Sequence, residues 1–169
     1  PPGLSPLSFS DRALKKLNDR KYKVPNWYLD LSMITQYWSG ESRVYHHTAP
    51  INMLYGLYQA CFNIIDEGLI NVFNRHSDMH NLLVSKLKNL NLELFVEKSV
   101  RLPMLNSIII PDGVDDVIVR SKLLNDYKIE IGGGLGTLSG KIWRVGLMGE
   151  TAKKESIQKL IDAFNEIIS

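Results

Sequence analysis

The sequence predicts an α/β fold in which helices lead into a small domain of mixed strands and helices. Two observations indicate this class. Apolar residues recur at intervals of three and four through residues 51–90, which is the period of helices with one buried face. From residue 92 onward, short segments rich in β-branched residues alternate with helix-like stretches, as in a small α/β domain. We therefore expect two parts, residues 1–90 and residues 91–169.

The elements before residue 50 are short. Residues 5–10 predict a strand, and Asp11 predicts the cap of a helix that runs to about Asn18. Residues 29–38 predict a second short helix that stops near Gly40. The chain begins with Pro1 rather than Met, and we expect it to be part of a longer protein.

The elements after residue 50 are two long helices, followed from residue 92 by short strands and helices. Helices are expected from Ile51 to Gly68 and from Leu69 to about Leu90. Cys61 lies on the apolar stripe of the first of these, and we expect it to be a buried, reduced thiol. The later elements are strands at 92–96, 107–110, 129–131 and 142–147, a helix at 114–127, and a final amphipathic helix capped by Thr151.

Composition excludes several classes of partner. With 169 residues, 44% of them hydrophobic and 22% charged, the chain is typical of a globular protein. A formal net charge of +2 gives no basic field of the kind that binds nucleic acid, so no nucleic-acid partner is expected. No apolar run approaches the ~20 residues that a membrane helix needs, so no membrane partner is expected.

The loop Tyr45-His46-His47-Thr48 precedes the helix that begins near Ile51. It places two hydroxyls beside a helix N-terminus, where unpaired N–H groups and the helix dipole stabilise an anion. Pro50 suits the first helical turn. One interpretation is a phosphate site built on Tyr45 and Thr48, with one of the two histidines orienting the loop. The alternative is that Thr48 only caps the helix.

Arg144 lies in the middle of the predicted strand 142–147. Alternation puts Trp143, Val145 and Leu147 on one face and Arg144 on the other. A guanidinium in such surroundings requires a partner. That partner is either an Asp or Glu of the same fold or a substrate carboxylate, which the planar group binds through two parallel hydrogen bonds.

Two other patterns do not support a site. The glycine run Gly132-Gly133-Gly134-Leu135-Gly136 fits neither the P-loop nor the dinucleotide-binding pattern, and it predicts a flexible connection between strands. His76 and His80 have a spacing that suits a metal, but no third ligand is apparent, so no metal site is expected. His46 and His47 are adjacent, and we expect their side chains to diverge.

Several segments, in order and over essentially the whole chain, resemble the class V, fold-type I aminotransferases, in particular the alanine:glyoxylate (serine:pyruvate) aminotransferases, with the 3-hydroxykynurenine transaminases as near relatives. The segments that carry the resemblance are Pro1-Pro2-Gly3-Leu4-Ser5-Pro6-Leu7-Ser8-Phe9-Ser10-Asp11-Arg12-Ala13, Tyr28-Leu29-Asp30, Tyr45-His46-His47-Thr48, Glu67-Gly68-Leu69, Arg101-Leu102-Pro103, Ile129-Glu130-Ile131, Gly133-Gly134-Leu135-Gly136 and Trp143-Arg144-Val145-Gly146-Leu147.

The resemblance implies the C-terminal part of the PLP-dependent transferase fold. Residues 1–90 would be the tail of the large cofactor-binding domain with linking helices, and residues 91–169 the small α/β domain. The implied cofactor is pyridoxal 5'-phosphate (PLP). Tyr45 and Thr48 would bind its phosphate in the neighbouring subunit of a homodimer, and Arg144 would bind the α-carboxylate of the substrate.

The resemblance also implies what this chain lacks. The family's Schiff-base lysine lies just before Pro-Pro-Gly and so would precede Pro1, which leaves no catalytic residue in this chain. We expect the full-length protein to transfer an amino group from alanine or serine to glyoxylate or pyruvate, and these 169 residues to be inactive alone. The alternative is a non-catalytic anion-binding or interaction module derived from an aminotransferase.

Two further expectations rest on the resemblance. The apolar faces of the first ninety residues should be exposed, because the central sheet of the larger domain is missing. A peroxisomal or mitochondrial location is implied, although no targeting signal is visible in the chain.

Overall fold

The computed structural model describes residues 3–39, 42 and 44–168, and the chain forms two compact units, Pro1–Asn63 and Ile64–Ser169. The α/β class is confirmed. The expected division after residue 90 concerns the domains of the complete protein and stays a prediction. Among the described residues, no helix is long and apolar enough to cross a membrane.

The first unit contains helices α1, Asp11–Asn18, and α2, Leu31–Ser39, and the start of α3, Ile51–Glu67. Ser10 caps α1 by accepting a hydrogen bond from the Ala13 N–H at 3.3 Å, so the prediction of Asp11 as the cap was wrong. The strand predicted at residues 5–10 was also wrong. These residues have no strand partner among the described residues, and an extended segment needs a neighbour to form a ladder. Gly40 lies outside the described residues.

The first unit has no buried apolar core. None of the described apolar side chains before Met79 is buried. Helix α3 exposes its aromatic and aliphatic side chains, with Tyr55 72% and Ile65 78% exposed. The thiol of Cys61 is exposed, so the prediction of a buried thiol was wrong. The apolar period predicted the helix correctly. Its apolar face is not buried, because no other described element covers it.

The core lies in the second unit. Helix α4, Leu69–Asn89, contributes Met79, Leu83 and Leu87 to it, so a fragment that began at residue 91 would lack part of this core. A three-stranded antiparallel sheet has the order β1, Leu105–Ile109, then β3, Ile142–Gly146, then β2, Gly132–Gly133. The central strand β3 is therefore paired on both sides.

Helices α5, Asp116–Tyr127, and α6, Lys154–Ile168, complete the second unit. Ile157, Leu160, Ile161 and Phe164 of α6 are buried as predicted. Thr151 does not cap α6, because its hydroxyl accepts the Met148 N–H at 2.9 Å and closes the short turn before the helix. The strand predicted at 92–96 is reduced to one isolated bridge, Leu94 with Ile108.

Trp143 fixes the position of β3 in the core. Its ring is fully buried and stacks on Phe164 with 5.2 Å between the ring centroids. The indole N–H donates to Asp116 Oδ1 at 3.0 Å. Arg120 donates two hydrogen bonds to the same carboxylate, at 2.8 and 3.0 Å, and holds the pKa of Asp116 below its usual value. One carboxylate thus joins α5 to the central strand.

We predict that Asp116→Asn lowers the free energy of unfolding of the chain by about 1 kcal/mol near neutral pH, since the amide still accepts from Trp143 but loses the partly exposed ion pair with Arg120. A lowered carboxyl pKa stabilises the fold above the unfolded-state value of about 3.9, and this contribution is lost as the pH falls through the lower folded pKa. The difference between wild type and variant should therefore shrink at about pH 3.

Urea unfolding at both pH values, followed by near-ultraviolet circular dichroism, measures this difference. The exposed Asp112 provides a matched control, because Asp112→Asn removes a carboxylate without removing this ion pair. An equal loss in both variants at neutral pH would contradict the assignment.

Candidate cofactor and substrate site

Tyr45 and Thr48 form a hydroxyl pair just before α3. Their side-chain oxygens are 2.8 Å apart, and both residues are exposed. The Pro50 carbonyl accepts the first hydrogen bond of α3, from Leu54 N–H at 3.1 Å. The N–H groups of residues 51–53 therefore precede the first intrahelical bond, as at any helix N-terminus. The hydroxyl of Thr48 bonds to the hydroxyl of Tyr45. This contact is not part of the alternative interpretation, in which Thr48 only caps the helix.

The two histidines of this loop converge. His46 is buried, and its Nδ1 lies 2.7 Å from Nδ1 of His47, so the expectation that the two side chains diverge was wrong. Nε2 of His46 lies 3.0 Å from the carbonyl oxygen of Trp27, and the two rings stack with their centroids 4.4 Å apart. Sequence analysis missed Trp27, and an aromatic residue nineteen positions away gives no local signal of this contact.

Arg144 lies on the face of β3 opposite Trp143, as alternation predicts, and it pairs in register with Ser107 of β1 and Gly132 of β2. Its Nε donates to the Gly133 carbonyl at 2.7 Å. Among the residues that the structure describes, no carboxylate lies within ion-pair distance of Arg144. The two terminal nitrogens of the half-buried guanidinium therefore have no protein anion, which favours a ligand carboxylate over an internal partner.

The glycine-rich segment before β3 contains two short regular elements. Gly132 and Gly133 form β2, and a short helical turn spans Gly136–Leu138. A Cβ on Gly134 would lie 1.8 Å from the Leu138 carbonyl oxygen, so only glycine fits there. This close approach shapes the loop beside Gly133, whose carbonyl orients Arg144.

The turn that follows β3 is hydrogen-bonded to side chains of α4. Arg75 donates to the Gly149 carbonyl at 2.8 Å and to Glu67 Oε2 at 2.7 Å, and this guanidinium lowers the pKa of the Glu67 carboxyl. His76 Nε2 accepts the Gly149 N–H at 3.1 Å, while its Nδ1 lies 2.7 Å from the Val72 carbonyl. These bonds hold the segment next to the strand that carries Arg144.

The histidines of α4 serve these packing contacts. His80 Nδ1 lies 2.7 Å from the side-chain oxygen of the buried Asn106. Within the described part of the chain, no group of three or more His, Cys, Asp or Glu side chains has an arrangement that could hold a metal ion. Tyr45 and Thr48 belong to the first unit and Arg144 to the second, so each candidate site is described within its own unit.

Known proteins resemble the chain over nearly its whole length. An alanine–glyoxylate aminotransferase from Drosophila melanogaster is 40% identical over 99% of this chain and 43% of its own length. The crystal structure of an alanine–glyoxylate aminotransferase from Nostoc sp. matches with a TM-score of 0.88 and 49% identity, over 96% of this chain and 43% of that one. No protein-family model matches the chain.

A ureidoglycine–glyoxylate aminotransferase from Bacillus subtilis matches with a TM-score of 0.89 and 33% identity, over 95% of this chain and 41% of its own. The chain thus spans about two fifths of the length of these relatives, and it matches the C-terminal portion of their fold. The fold and its relatives define a PLP-dependent aminotransferase architecture. The chain belongs to the class V, fold-type I aminotransferase family, among relatives that include the alanine–glyoxylate aminotransferases.

Proposed function

We propose that the complete protein transfers an amino group between a small amino acid, alanine or serine, and glyoxylate or pyruvate, with PLP as cofactor. The names of the relatives support glyoxylate as an acceptor. The observation that carries the proposal is Arg144, whose two terminal nitrogens have no carboxylate partner among the described residues, on a chain that also presents the Tyr45–Thr48 hydroxyl pair.

The Tyr45 and Thr48 hydroxyls suit the phosphate of the cofactor. Side by side and exposed, each can donate to a different phosphate oxygen, and the nearby N-terminus of α3 adds the positive end of the helix dipole. When bound, PLP supplies a ring that withdraws electrons from the carbon bearing the amino group. The two hydroxyls hold and orient the phosphate end and thereby set the position of the ring.

Arg144 has the geometry to orient the substrate. The hydrogen bond from Nε to Gly133 fixes the plane of the guanidinium, so its outer edge presents two parallel N–H donors in one direction. A carboxylate bound at this edge places the substrate in one orientation before reaction, which is the entropic advantage of a positioned reactant. The neighbouring Gly146 has no side chain to obstruct it.

Under this proposal, the reaction requires residues beyond these 169. We propose that the cofactor lysine comes from a preceding segment and that the chain alone is inactive. We also propose that the protein is a homodimer in which Tyr45 and Thr48 serve the partner's cofactor. If the chain instead acts as a non-catalytic anion-binding module, the same hydroxyl pair would bind phosphate while a complete protein with the lysine would show no transamination.

Removing the Arg144 guanidinium should weaken amino-acid binding. In the complete protein, Arg144→Gln is expected to lower kcat/KM for alanine by about 10- to 150-fold, the equivalent of a charged hydrogen-bonded contact worth about 1.5–3 kcal/mol. Steady-state kinetics with alanine and glyoxylate measure this, together with the PLP affinity, which should not change. Arg12→Gln, at an exposed arginine of α1, is the control. An unchanged kcat/KM for alanine in Arg144→Gln would exclude the proposed role.

Removing the hydroxyl pair should weaken cofactor binding. For the complete apoprotein, the double variant Tyr45→Phe with Thr48→Val is expected to raise the Kd for PLP by about 10- to 100-fold, since two hydrogen bonds to a dianion are lost. Fluorescence titration with PLP gives the Kd without depending on activity. Tyr22→Phe, at a side chain that is 83% exposed, is the matched control, and an equally small change in both proteins would refute the phosphate assignment.

A further inference from the structure

His46 is one of two polar residues that are buried in the described part of the first unit, where no described apolar side chain is buried. Trp27 covers one face of its ring, with 27° between the two ring planes. Because this unit has no apolar core, the burial of the imidazole must result from its local contacts. Its hydrogen bonds are such contacts.

For neutral rings, the hydrogen bonds indicate which nitrogens carry protons. A backbone carbonyl only accepts, so His46 Nε2, 3.0 Å from the Trp27 oxygen, must donate. In a neutral imidazole the other nitrogen then accepts. His46 Nδ1 therefore accepts, and His47 Nδ1, 2.7 Å away, donates. The Trp27 carbonyl thus sets the tautomers of both histidines.

The fixed His47 ring leads to the hydroxyl pair. It lies nearly parallel to the ring of Tyr37, with 17° between the planes and 5.9 Å between the centroids. Tyr37 also meets the ring of Tyr45 edge-on, with 6.4 Å between the ring centroids. Tyr45 in turn contacts Thr48 through the 2.8 Å hydroxyl pair. An unbroken series of contacts therefore runs from the Trp27 carbonyl to these two hydroxyls.

We propose that His46 is a positioning residue for the Tyr45–Thr48 pair: bonded to the Trp27 carbonyl, it accepts the His47 N–H and holds the loop in the conformation that presents both hydroxyls. This inference rests on the proposed binding of the PLP phosphate by that pair. His46 itself does not touch the ligand in this account. It acts through His47 and the aromatic side chains.

Two amide substitutions separate the two bonds of His46. Asn places its oxygen near the Nδ1 position, so His46→Asn keeps the acceptor for His47 and loses the donor to Trp27. Gln places its nitrogen near the Nε2 position, so His46→Gln keeps the donor and loses the acceptor. His47→Phe keeps a ring beside Tyr37 but removes the N–H that His46 accepts.

The test is the affinity of the complete apoprotein for PLP. His46→Gln and His47→Phe remove the neutral hydrogen bond between His46 and His47, and each is expected to raise the Kd by about five- to tenfold. His46→Asn keeps that bond and is expected to raise the Kd by less than about threefold. Near-ultraviolet circular dichroism establishes that each variant is folded.

Selective ¹⁵N-histidine labelling provides a second readout, since the nitrogen chemical shift separates N–H from lone-pair nitrogens. Protons on His46 Nε2 and His47 Nδ1 are expected in wild type. Equal losses in all three variants, no loss in any, or protons on the opposite nitrogens would each overturn the inference. If the hydroxyl double variant also leaves the affinity unchanged, the proposed phosphate site fails as well. If that variant alone weakens binding, only the role of His46 fails.

Discussion

The hydrogen bond from the buried Trp143 indole to Asp116 is the contact on which the orientation of β3 depends. It holds one face of the strand in the core, against Phe164. Because side chains alternate along a strand, this same contact directs Arg144 to the other face, and a slip of one residue would exchange the two. The direction of the Arg144 side chain is therefore a consequence of core packing, and the Gly133 carbonyl then sets the plane of the guanidinium.

The first unit is stabilised differently. None of its described apolar side chains is buried, so local hydrogen bonds and ring contacts carry the order of the Tyr45–Thr48 loop. Each such hydrogen bond contributes only modestly to the free energy of folding, but a buried donor or acceptor that is left unpaired destabilises the fold more strongly. The loop is thereby restricted to conformations that satisfy His46. The two units thus position the Tyr45–Thr48 hydroxyl pair and the Arg144 guanidinium by independent physical means.

Sequence reasoning succeeded where the signal is periodic. The faces of α6 and the alternation around Arg144 follow from spacings of three to four and of two residues, which the chain displays directly. It failed where the outcome depends on partners. Residues 92–96 look like a strand yet form one bridge, and Cys61 lies on an apolar stripe that no described element covers. The convergence of His46 and His47 comes with a hydrogen bond from His46 to the Trp27 carbonyl, which no local pattern in the sequence encodes.

The central claim is that this chain's hydroxyl pair and its Arg144 act in different active sites of one dimer. Subunits carrying Tyr45→Phe with Thr48→Val, mixed and reassembled with an equal amount of Arg144→Gln subunits, test it through transaminase activity at PLP concentrations that just saturate wild type. If the loop serves the partner, half of the dimers are heterodimers with one intact site, and activity should reach about a quarter of the wild-type value. A mixture no more active than the average of the two separate variants would contradict the claim.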